Sequence, residues 1–166
     1  MKTKKGITTL LLIGLTVTSL WYWQTHRIKI APEVIFTTIT GNKIELKKLQ
    51  GHPVIVTFWA TDCAACIKEI PHLIELYNDF HKKGLHIIAV AMYYDPPNHV
   101  LAMTKAKRLP YDIALDSKAE HAIAFGQVQF TPTTFLISPA GNIVMQKTGL
   151  FDMIEMKQKI INLLKG

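Results

Sequence analysis

Residues 54–59 (Val-Ile-Val-Thr-Phe-Trp) form a nearly unbroken apolar run, the pattern of a strand buried on both faces at the centre of a sheet. Residues 86–92 repeat that character. Residues 34–39 and 43–46 flank Gly41-Asn42 and predict a hairpin, with Gly51-His52-Pro53 breaking the chain behind it. Residues 133–137 and 143–146, around Pro139-Ala140-Gly141-Asn142, predict a second antiparallel pair. Beyond Cys66 the period changes. Apolar residues at Ile67, Ile70, Ile74, Tyr77 and Phe80 are spaced by three and four and predict a helix. Pro71 should kink it, and Lys82-Lys83-Gly84 should end it. Residues 99–108 read as a second helix and residues 113–115 as extended chain. A short helix to Phe125 follows, capped by Asp116 or Ser117 with Glu120 near its third position, and residues 151–164 close the chain as an amphipathic helix. The order β, β, β, α, β, α, α, β, β, α describes an α/β fold, a central mixed sheet with helices on both faces. There is no internal repeat and no low-complexity tract.

The N-terminus breaks this pattern. Residues 6–23 carry no charge, after Lys2, Lys4 and Lys5. At about 1.5 Å of rise per residue, eighteen helical residues just span a hydrocarbon core of about 30 Å. The lysines predict that this end stays in the cytoplasm, and Trp21, Tyr22 and Trp23 stand where an interfacial aromatic belt is expected. No small-residue cleavage site follows the apolar core, so an uncleaved transmembrane anchor is expected rather than a signal peptide. The chain thus divides into residues 1–29, a cytoplasmic stub and anchor, and residues 30–166, one folded domain. Charge divides with it. Five of the 19 basic residues precede residue 31 and no acid does, so the formal +7 falls to about +2 in the domain. Without a basic patch carrying interleaved aromatics, nucleic acid is not an expected partner.

The chain has two cysteines, Cys63 and Cys66. They lie where the run 54–59 gives way to a helix. A thiol at a helix N-terminus meets unpaired backbone N–H groups and the positive end of the dipole, both of which favour the thiolate. Two cysteines three residues apart can fill core or perform reversible disulfide exchange, and this placement favours exchange. A lone pair is too little to serve as the disulfide scaffold of an exported domain of this size.

Phe58-Trp59-Ala60-Thr61 before the pair, Glu69-Ile70-Pro71 after it, and Thr131-Pro132-Thr133-Thr134-Phe135-Leu136-Ile137 some seventy residues later resemble the thioredoxin superfamily. Within it they are most similar to the membrane-anchored branch that includes TlpA, ResA and DsbE. The resemblance covers nearly the whole domain and implies a thioredoxin-like fold with an N-terminal β-hairpin. It implies a cis peptide bond at Thr131-Pro132, with both residues presenting backbone to a substrate chain. It also implies no cofactor and no metal. Cys63 is then the nucleophile and Cys66, more buried and of higher pKa, the resolving thiol. Trp59, Asp62 and Glu69 are supporting residues.

Three positions depart from that pattern. Asp62 stands where tryptophan is usual, and its carboxylate can oppose a neighbouring thiolate. Ala65 replaces a frequent proline. Thr57 stands where thioredoxins bury an acid, so proton transfer needs another group or a water. Glu69, Glu75 and Asp79 read as a solvated helix face, and Glu69 has no assured contact with Cys66. None of His26, His52, His72, His81, His86, His99 and His121 has metal-ligand spacing with another, so they read as surface or satisfied residues.

The implied function is an extracytoplasmic thiol–disulfide oxidoreductase, single-pass in the bacterial inner membrane with its catalytic domain on the periplasmic side. It would reduce disulfides in partner proteins, apocytochrome c before haem attachment among them, with electrons from a membrane reductase. Ala64-Ala65 has no charge or ring to set the direction, so a disulfide-forming oxidant stays open. A soft-metal module on the two thiolates is the remaining alternative.

Overall fold

The computed structural model describes Thr18 and residues 29–165. The proposed anchor, Thr18 aside, lies outside the described residues. Among the described residues no helix is long and apolar enough to cross a membrane.

Among the described residues 29–165, eight strands and four α-helices follow one another: β1 (Lys29–Ile30), β2 (Ile35–Thr37), β3 (Lys43–Glu45), β4 (Val54–Trp59), α1 (Ala64–Phe80), β5 (His86–Ala91), α2 (Pro97–Lys107), β6 (Asp112–Leu115), α3 (Glu120–Ala124), β7 (Thr133–Ile137), β8 (Asn142–Thr148) and α4 (Met153–Lys165). Six strands form one mixed sheet in the order β1-β8-β7-β4-β5-β6. β4 is central, parallel to β5 and antiparallel to β7. All six of its residues are buried, as its apolar run predicts. Its side chains alternate between two cores. Ile55 and Trp59 join Leu73, Leu76 and Phe80 of α1 and Met156 and Ile160 of α4 on one face. Val54, Val56 and Phe58 join Phe36 of the hairpin and Ala122 of α3 on the other. The expected hairpin is present as a separate two-stranded sheet, β2 with β3.

Several expectations need correction. β1 is an additional edge strand paired with β8 and too short to carry a periodic signal, while the expected extended chain at 113–115 is the other edge strand, β6, paired with β5. α2 begins at Pro97, since proline is suited to a first helical turn that needs no donor. The N-cap of α3 is Ala119 rather than Asp116 or Ser117, and Glu120 is its first residue rather than near its third, although Asp116 still accepts from the N–H groups of His121 and Ala122 at 3.0 and 2.8 Å. α1 continues through Pro71 to Phe80, followed by a 3-10 turn and Gly84 at φ +107°. Its buried stripe is Cys66, Glu69, Ile70, Leu73, Leu76 and Phe80, whereas Ile67, Ile74 and Tyr77 are half-buried.

The fold also gathers His52, His81 and His86 at the start of β4 and β5. Ring centroids lie 5.5 Å (His52–His86) and 6.4 Å (His81–His86) apart. Burial, then the charges of His52 and His81, holds the His86 pKa below its usual 6.5, opposed by Asp112. The folded state therefore prefers neutral His86. Its contribution is present above about pH 6.5 and is lost as pH falls through the lowered value. His86→Gln should gain stability relative to the parent chain as pH drops from 7.5 to 5.5, read as the difference in thermal midpoint. A pH-independent difference would exclude this linkage.

Candidate active site

The dithiol is built by the turn from β4 into α1. Cys63 is the N-cap of α1 with extended backbone (φ −87°, ψ 104°), and its Sγ accepts the Cys66 N–H at 3.1 Å. That N–H is one of the donors a helix start leaves unpaired, and in the reduced protein it would face a Cys63 thiolate. Cys63 and Cys66 are joined in a disulfide. Cys63 is half-buried, while Cys66 is 3% exposed, so the first cysteine is the more accessible of the two.

The preceding loop is held from outside the motif. Thr61 donates its N–H and its hydroxyl to the two carboxylate oxygens of Asp95, each at 2.7 Å. Asp95 sits between β5 and α2, so one buried carboxylate ties that loop to the one carrying Cys63. Its only sequence signal was a loop-initiating Asp before Pro96-Pro97. Asp62, beside Cys63, is exposed and borders an open, mainly apolar groove with His99, Met103 and Lys107.

Beneath Cys66 the structure overturns the solvated reading of Glu69. This side chain is 1% exposed and shares a small cavity with Trp59, Thr57, Cys66 and Tyr111. Its Oε2 accepts long hydrogen bonds from the Thr57 and Thr134 hydroxyls, at 3.5 and 3.4 Å, and those hydroxyls lie 2.8 Å from each other. Burial dominates its acidity and pushes the pKa from 4.5 up to about 7. The Phe151 backbone N–H, then Thr134 and Thr57, oppose the shift. Burial, aided by Glu69, also pushes the Tyr111 phenol up. A buried acid is thus present beside Thr57, contributed by α1, with Thr57 as a hydrogen-bond donor to it. Glu75 and Asp79 are solvated as expected, both paired with Lys157 of α4.

Trp59 is 4% exposed and lies between the sheet and α1, as core and as a wall of the cavity. The Thr131–Pro132 bond is cis. Pro132 is buried, Thr131 is half-buried and Phe130 is 70% exposed. Among the described residues no group of three or more His, Cys, Asp and Glu is arranged to hold a metal ion.

A family model described as AhpC/TSA family matches residues 29–146. The chain belongs to the AhpC/TSA family. Within it the chain is similar to the thiol–disulfide oxidoreductase ResA of Bacillus thuringiensis subsp. konkukian, with 32% identity over 82% of this chain and 80% of the relative. ResA of Bacillus anthracis is 34% identical over the same shares. Among solved structures, one from Chlorobium tepidum, provisionally named a thiol:disulfide interchange protein DsbE, superposes with TM-score 0.76 at 25% identity, covering 83% of this chain and 97% of that one. StoA from Bacillus subtilis gives 0.66 at 26% identity, over 77% and 97%. The fold is thioredoxin-like, and this AhpC/TSA member is a thiol–disulfide oxidoreductase with a Cys63–Cys66 pair.

Proposed function

We propose that residues 30–166 form a reductase of protein disulfides, held outside the cytoplasm by residues 6–23 and recharged by a membrane reductase. Apocytochrome c awaiting haem is the proposed substrate class. The observation that carries this reading is the contrast within the pair. A reachable sulfur sits at a helix N-terminus, and a buried one shares a cavity with an acid whose pKa is about 7.

The Cys63 thiolate attacks one sulfur of a substrate disulfide, forming a mixed disulfide and expelling a substrate thiolate. Glu69 carboxylate takes the proton of Cys66. The new Cys66 thiolate then attacks Cys63 Sγ and expels the second substrate thiolate. Two electrons pass to the substrate, and the Cys63–Cys66 disulfide remains. An acid near the working pH suits this exchange in both directions. Thr131 and Pro132 bind the substrate backbone in this scheme. Trp59 walls the dithiol, and Asp62 sets the charge beside it.

Direction is tested by the reduction potential of the protein equilibrated with glutathione. A value of about −250 mV or lower is expected. One of about −120 mV would make the chain an oxidant instead.

A further inference from the structure

Two polar atoms beside the dithiol are sealed from solvent and find no hydrogen-bond partner in the protein: Trp59 Nε1 and Glu69 Oε1. Their residues are 4% and 1% exposed. Buried polar groups are seldom left this way. The two are complementary, since an indole N–H only donates and an ionised carboxylate only accepts. The two residues also line one cavity of about 10 Å³, together with Thr57, Cys66 and Tyr111. A single water needs roughly 10–15 Å³ and two to four polar partners.

We propose that this cavity holds one internal water that accepts the Trp59 Nε1–H and donates to Glu69 Oε1, making Trp59 a positioning residue for the proton exchanged with Cys66. The inference rests on the proton-carrying role given to Glu69 above. The indole, donating only, fixes the orientation of the water and leaves both its hydrogens for acceptors. One meets Oε1, and the other turns toward Thr57 or the Cys66 sulfur. Such a water favours the charged form of Glu69 and partly offsets its burial. The groups facing that carboxyl are Thr57 from β4, Thr134 from β7, the Phe151 N–H before α4, Tyr111 before β6 and Cys66 on α1. Only Tyr111 and Cys66 among them titrate.

The test uses the full chain, ¹⁵N-labelled at its three tryptophans, with the Trp59 indole signal assigned by its loss in Trp59→Phe. That signal should show cross-relaxation with water and shift with a midpoint near pH 7, and the shift should vanish in Glu69→Gln. Trp59→Phe keeps an aromatic ring and removes the donor. It should raise the midpoint of mixed-disulfide decay by roughly one pH unit, a tenfold tighter proton. An indole signal that is flat from pH 5 to 9, or that lacks a water cross-peak, would overturn the bridge. So would an unmoved midpoint in Trp59→Phe. Decay in Glu69→Gln with an unchanged pH profile would instead overturn the proton role itself. The indole signal reads the bridge independently, so the two failures are distinguishable.

Discussion

Cys66→Ser should enter a mixed disulfide with a protein substrate and stay there, while Cys63→Ser should exchange nothing. The asymmetry follows from exposure. Cys63 is the half-buried N-cap sulfur, and Cys66 is 3% exposed beneath it. Removing the reachable thiol leaves no nucleophile, since serine is not ionised by one helix N-terminus at neutral pH. Removing the buried one leaves attack intact and abolishes release. Turnover in a thiol-coupled insulin reduction assay should fall by about 10³-fold or more in both variants. Non-reducing gels separate them, because the adduct accumulates only with Cys66→Ser. Normal turnover by Cys66→Ser would sink the two-cysteine mechanism, and an adduct formed by Cys63→Ser would reverse the two roles.

The central part of this site was readable because its signals are local. The run 54–59 can only be a strand buried on both faces, and a thiol directly after such a strand and before a helical period falls at a helix start. What was not readable depends on chain segments far apart in sequence. Asp95 looks like an ordinary turn residue until β5, parallel to β4, places it beside Thr61. His52, His81 and His86 lack ligand spacing and meet only because their segments share one end of the sheet. Glu69 was a different kind of miss. It follows Cys66 by three residues and precedes Leu73 by four, the spacing of one helix face. Choosing the isoleucines as the buried stripe rotated that face away from the sheet. The phase of the buried cysteine would have set it correctly, and a charged residue at that phase is a functional signal rather than a surface one.

Glu69→Gln should make the oxidised protein more stable at pH 8 and nearly unchanged at pH 4.5. In the folded chain burial raises this carboxyl from 4.5 to about 7. The native state therefore binds the proton more tightly than the unfolded one. The stability gained from the protonated form is complete below pH 4.5 and lost as pH rises through 7. A shift of that size corresponds to about 3 kcal/mol across the window. Glutamine resembles the protonated acid in shape and charge, and its carbonyl can accept from Thr57 and Thr134 as Oε2 does. The variant should escape the loss. Urea unfolding at pH 4.5, 6 and 8 measures it directly. Under the proposed mechanism the same substitution removes the base for Cys66, so decay of the mixed disulfide should slow by about 10²-fold or more. Greater stability with slower resolution is the pairing expected of a charge kept buried for chemistry. If Glu69→Gln lost stability with rising pH as the parent does, the buried charge would lie elsewhere, and Glu69 would be only a packed residue of α1.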